Sequence, residues 1–142
     1  MIEQLSVFIQ NEPGKLAAIT RVLAQGGIDL RALSIADTND FGVLRVLVSD
    51  VQKAKEILSK NNFVYSVTNV AVVAVEDAPG GLSSLLETLS ESGVNIEYMY
   101  SLIGRTGKQA YMVFRISDEE KLMRVFSQKG LQTVSAEELG IR

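Results

Sequence analysis

The sequence is written twice. At an offset of 66 positions, Pro13, Gly14, Leu16, Leu23 and Gly27 fall on Pro79, Gly80, Leu82, Leu89 and Gly93. Near matches fill the gaps: Ile19 with Leu85, Ile28 with Val94, Asp29 with Asn95, and Leu30 with Ile96. Further on the offset grows to 68, and Ser49-Asp50 meets Ser117-Asp118. The matched residues are those with backbone or core roles, so one folding unit is about half the chain. A length of 142 residues allows one ordinary domain or two small ones. The repeat selects two.

Each copy carries the same pattern. It opens on a strand: Leu5, Val7 and Ile9 alternate in QLSVFIQ, as Ala71, Val73 and Val75 do in VAVVAVE. Period two means one buried face. A Pro-Gly phrase follows, then a helix. Leu82, Leu85, Leu86 and Leu89 form an apolar stripe, and Leu16, Ile19 and Leu23 form its counterpart. Gly27 and Gly93 end these helices in the left-handed conformation that glycine takes readily. A second strand (IDLRALSIA; VNIEYMYSLI), a polar turn (DTND; GRTGK) and a third strand (VLRVLVS; AYMVFRIS) make a hairpin. Ser49 with Gln52, and Ser117 with Glu120, have capping-box spacing and predict a second helix in each copy. Ile57, Leu58, Val125 and Phe126 are expected to face inward. FVYSVT and LQTVS are the expected last strands.

The order β-α-β-β-α-β, twice, predicts an α+β fold of two ferredoxin-like units, each an antiparallel sheet with its helices on one face. The expected domains are residues 1–68 and 69–142. No Gly/Ser/Pro linker divides them, so rigid packing is expected. Units this small bury little core alone; sheets set side by side, within a chain or in a homodimer, would remedy that.

Composition narrows the chemistry. Hydrophobic residues are 46% and charged residues 22%, a globular balance. Net charge is −3, and no basic stripe offers itself to phosphates, so no nucleic-acid partner is expected. Neither cysteine nor histidine occurs. That removes disulfides, thiolate sites, His bases and Ser-His-Asp triads together. The remaining polar residues form no obvious catalytic cluster. The expectation is no catalytic residue, no metal and no cofactor. The N-terminus lacks a signal-peptide pattern and no run approaches a membrane span, so a cytoplasmic protein is expected.

The 2 prolines, Pro13 and Pro79, stand in NEPGKL and DAPGGL. Proline is tolerated at the first helical position, where its missing N–H is unpaired anyway. The glycine after it has no side chain. The N–H groups of Gly14, Lys15 and Leu16 are thus expected to lie open at the positive end of the helix, where an anion such as a carboxylate fits. Pro-Gly is also a plain way to turn from strand to helix. Asp29 and Asn95 follow the helix-ending glycines and can accept hydrogen bonds from an ammonium, although local turn bonding suits them equally. Asn11 and Asp77 are further polar candidates.

N-x-P-G-x-L, an apolar helix, then G-[IV]-[ND]-[IL] resembles the ACT domain, a small regulatory module of amino-acid metabolism. Both copies carry the motif, the second with Asp77 in place of the asparagine, and the chain looks like a stand-alone tandem ACT protein. The resemblance implies that modules pair and that a free amino acid sits at their junction. The loop before helix one holds the carboxylate, and the Asn or Asp after helix one of the facing module meets the amino group. Carried over, the loop residues are Asn11, Pro13, Gly14, Lys15 and Leu16, with Asp77, Pro79, Gly80, Gly81 and Leu82. The opposite half is Asp29 and Leu30, with Asn95 and Ile96. Under crosswise pairing the Asn11 loop faces Asn95 and forms the better site. The Asp77 loop then faces Asp29, and two carboxylates would repel a ligand carboxylate unless a cation or proton intervened.

Other features read as plain structure. GRTGK lacks P-loop spacing and sits between strands. Asp118-Glu119-Glu120 suits a helix first turn. Tyr98 and Tyr100 are as readily strand residues as pocket walls. The expected function is a non-enzymatic sensor of a small amino acid. The alternative is a regulatory subunit of a biosynthetic enzyme, acting mainly through protein contacts.

Overall fold

The computed structural model describes residues 1–37, 40–103 and 107–142. Its elements are β1 (Ile2–Gln10), α1 (Lys15–Gln25), β2 (Leu30–Asp37), β3 (Phe41–Val48), α2 (Val51–Lys60), β4 (Val64–Glu76), α3 (Gly81–Glu91), β5 (Ile96–Ser101), β6 (Gln109–Ile116) and α4 (Glu119–Lys129), followed by a 3-10 turn at Glu137–Leu139. Of the expected hairpin turns, Thr38, Asn39, Gly104, Arg105 and Thr106 lie outside the described residues.

Two compact units emerge. The first is Glu3–Asn69 with Ala136–Arg142; the second is Val70–Ser135 with Met1–Ile2. The division falls inside β4, and each chain terminus belongs to the unit built mainly from the other copy.

In the first unit the strand order is β2-β3-β1-β4. β3 runs antiparallel to β1 and β2, and its register aligns Leu5 with Val46 and Val7 with Leu44. These four side chains share one face and are buried, as are Ile19 and Leu23 of α1 and Leu58 of α2. The alternation read from the sequence is therefore the buried face of a pleated sheet. The tail closes on this unit: Ile141 is buried, the Arg142 N–H donates to the Ser49 carbonyl, and the Arg142 carbonyl accepts from Val51 at the start of α2.

The second unit orders its strands β4-β6-β5, all antiparallel. Its core joins Ala71, Val73 and Val75 to Leu85 and Leu89 of α3, Phe114 and Ile116 of β6, and Leu122, Val125 and Phe126 of α4. The expected last strand at LQTVS does not form: residues 131–135 are irregular. Its apolar residues, Leu131 and Val134, are three apart and give no period-two face, unlike Phe63, Tyr65 and Val67 in FVYSVT. One backbone bond remains, from Val134 N–H to the Val72 carbonyl.

The second helices are capped one residue later than the capping-box spacing predicts. Asp50 accepts from the Lys53 N–H at 3.1 Å, and Asp118 from the Lys121 N–H at 3.0 Å. A carboxylate is a better acceptor for the positive helix end than a hydroxyl. The serines are freed for the site described next. Ile57 is only half-buried, its place in the core taken by Val51, Ala54 and Leu58.

Candidate functional site

The Pro-Gly phrases are type II turns rather than first helical turns. Gly14 has φ 86° and ψ −11°, and Gly80 has φ 90° and ψ −10°. These are the angles of the third residue of such a turn, where glycine is strongly preferred, and proline suits the second. The closing bonds run from the Lys15 N–H to the Glu12 carbonyl (3.3 Å) and from the Gly81 N–H to the Ala78 carbonyl (3.0 Å). The helices therefore begin two residues after each proline. The turn uses the Lys15 N–H that was expected to be open. Among the described residues, Leu16 and Ala17 in α1, and Leu82 and Ser83 in α3, have N–H groups without an acceptor, and neither helix has a side-chain cap. A Cβ added at Gly14 or Gly80 would meet nothing within 4 Å. Each turn thus exposes a helix start of positive polarity.

Over the second turn lies a cavity of about 670 Å³. Pro79, Gly80 and Gly81 form one wall, Val73–Glu76 of β4 another, and Gly130–Gln132 a third; Ser84, Thr88 and Gln109 add polar groups. It opens where the last strand failed to form. Leu82 packs toward the core, and the Asp77 N–H donates to the Lys108 carbonyl at 2.8 Å. Tyr98 and Tyr100 are half-buried in β5 and are not among its lining residues. In the first turn Asn11 is exposed, its N–H 3.5 Å from the Asp40 carbonyl. Lys15 pairs with Glu12 at 4.0 Å, and Leu16 is exposed.

The far ends of α1 and α3 are matched as well. Gly27 and Gly93 have φ of 73° and 71°. The bonds from Ile28 to the Leu23 carbonyl and from Val94 to the Leu89 carbonyl, both 2.9 Å, complete Schellman caps. The chain then delivers Asp29 or Asn95, both exposed. Here the copies diverge. The Asp29 N–H donates to Ser49 Oγ at 2.9 Å, and its carboxylate pairs with Arg31 Nη1 at 2.9 Å. Asn95 Nδ2 donates to Ser117 Oγ at 3.3 Å, leaving Oδ1 without a partner among the described residues. Leu30 and Ile96, the first residues of β2 and β5, are half-buried.

Arg31 and its counterpart Glu97 were not legible as site residues. Both occupy β-bulges: the register of β2 shifts between Leu30 and Ala32, and that of β5 between Ile96 and Tyr98. A bulge re-aims the extra side chain. Arg31 reaches back to Asp29, whereas Glu97 meets Arg115 Nε at 3.1 Å, and Arg115 Nη1 meets Glu119 at 3.3 Å. The one sequence signal was a charge reversal at matched positions of the repeat.

Among the described residues, no group of three or more His, Cys, Asp or Glu could hold a metal, and no helix is long and apolar enough to cross a membrane.

A βαββαβ module followed by a second that lacks only the last strand, each with a Pro-Gly turn before its first helix, defines a known class, and the family comparison agrees. The family model of the ACT domain pair matches residues 1–141, and the chain belongs to that family. It is similar to the crystal structure of protein BT0572 from Bacteroides thetaiotaomicron, with 40% identity, a TM-score of 0.90, and 98% of this chain and 95% of that one covered. It shares its fold with the regulatory subunits of aspartate kinase from Thermus thermophilus (17% identity, TM-score 0.65) and Thermus flavus (20%, 0.61), each over 89% of this chain and 90% of that one. No curated protein matches the chain.

Proposed function

We propose that the protein is a non-enzymatic regulatory module that binds a free small amino acid. The observation that carries this reading is the pair of type II turns, each leaving two helix N–H groups open beside a glycine with free space above it. A carboxylate is the matched ligand for such a feature. The ammonium is received by the second residue after the helix-ending glycine, Asn95 above all. Within one module these two places are separated by a whole helix of 11 residues, about 16 Å at 1.5 Å per residue. One amino acid cannot span that distance, so the ligand needs a facing module, as the family resemblance implies. A homodimer in the cytoplasm, reporting occupancy to an amino-acid biosynthetic enzyme, is the biological setting we favour. Any response requires that the ligand bind two states unequally.

A thermal-shift screen with the common amino acids tests the proposal. A ligand at about 100 times its dissociation constant adds about 2.7 kcal/mol of stability. Asn95→Ala, which removes the ammonium acceptor, should weaken the response more than Asp29→Ala; equal effects, or none, would remove Asn95 from the ammonium seat and refute the crosswise pairing. A second reading, a subunit acting through protein contacts alone, draws on the exposed Phe8, Leu33 and Ile35 of the first unit. It is favoured if no amino acid shifts the melt.

A further inference from the structure

We infer that Arg31 closes the ammonium seat of the first copy, so that each chain takes up one amino acid rather than two. The inference rests on the ligand-binding reading above and specifies which of its two seats is used. Asp29 would be the stronger attractor of an ammonium if it stood alone, because it carries full charge. It does not stand alone. Arg31, turned back by the bulge, places Nη1 2.9 Å from Asp29 Oδ2. The guanidinium is held there: a Cβ built on Gly140 of the tail would lie 2.9 Å from Nη2, so Gly140 leaves the space that Arg31 fills. Arg31 Nε is buried, so the stem of the side chain is packed while its tip reaches the surface beside Asp29.

The surroundings reinforce the effect. A recess of about 280 Å³ beside Ile28 is lined by Arg31, Lys53 and Arg142, against Asp50. Asp29 and Asp50 thus stand among the cations Arg31, Lys53 and Arg142. An incoming ammonium therefore meets like charge and a carboxylate already taken. The second copy carries different charges at these positions. The bulge residue there is Glu97, drawn onto Arg115, which also holds Glu119. Lys121, the counterpart of Lys53, is tied by Nζ to the Gly93 carbonyl at 2.9 Å, and Asp118 caps α4. Asn95 presents an unpaired Oδ1 oriented by its bond to Ser117.

Calorimetric titration of the full chain with each of the common L-amino acids tests this through the molar ratio. For the amino acid that binds, the wild-type protein should give a ratio near one per chain. Arg31→Ala should raise it to near two while leaving the first affinity within about twofold. Arg31→Gln, which keeps most of the packing and removes the charge, should do the same and serves if the alanine variant folds poorly. A wild-type ratio of two, or a ratio that stays at one in both folded variants, overturns the inference and leaves the ligand-binding reading intact. No heat with any amino acid refutes that reading, and the inference with it.

Discussion

Gly81→Ala separates what the two Pro-Gly phrases have in common from what they do not. In the first phrase the equivalent position is Lys15, so a side chain is accepted there. In the second, a Cβ on Gly81 would lie 2.0 Å from the Glu76 carbonyl oxygen and 3.3 Å from Glu76 Cβ. The obstacle is backbone at the end of β4, so either the helix start or the strand end must move. Forcing extra volume into a packed site costs about 1–3 kcal/mol. Replacing glycine returns about 0.4–1 kcal/mol through the unfolded chain. A net loss of roughly 1–2 kcal/mol should lower the melting temperature by about 3–6 °C for a chain of this size. Gly14→Ala is the control, since its Cβ meets nothing. Its cost is the left-handed backbone alone, about 1–2 kcal/mol before the same return. Circular-dichroism melts of both variants provide the assay. A Gly81→Ala protein as stable as wild type would refute the claim that α3 starts hard against β4.

Asp118→Ala should cost about 1 kcal/mol in urea unfolding, and Ser117→Ala clearly less, because the aspartate caps α4. The reverse order would restore serine as the cap. Phe126, 1% exposed in the core of the second unit, should cost about 3–5 kcal/mol when cut to alanine, read by the same unfolding curves. A loss below about 1 kcal/mol would mean that the α4 contact with the sheet is not as packed as described.

Legibility in the sequence followed how local the cause was. The alternation of Leu5, Val7 and Ile9, and the helical stripe of Leu82, Leu85 and Leu89, announce their elements, because burial is written directly in residue type. Gly27 and Gly93 announce helix ends for the same reason: a left-handed residue favours glycine strongly. Pro13 and Pro79 were more ambiguous. Proline suits both a first helical residue and the second residue of a type II turn, and only the glycine's φ decides between them. Ser49 and Asp50 are adjacent capping residues, and the choice fell to the carboxylate. LQTVS stands where the repeat asks for a strand, but Leu131 and Val134 are three apart and give no period-two face. Arg31 could not be placed at all, since a bulge depends on how two strands align.

The most direct test of the central claim is amide NMR of the 15N-labelled protein, titrated with the amino acid that gives the largest melting shift. The account predicts that the Asn95 side-chain amide moves together with the open first-turn amides, Leu16 and Ala17 or Leu82 and Ser83, at one common dissociation constant. Saturable shifts confined to other residues, or no shift with any amino acid, would contradict it.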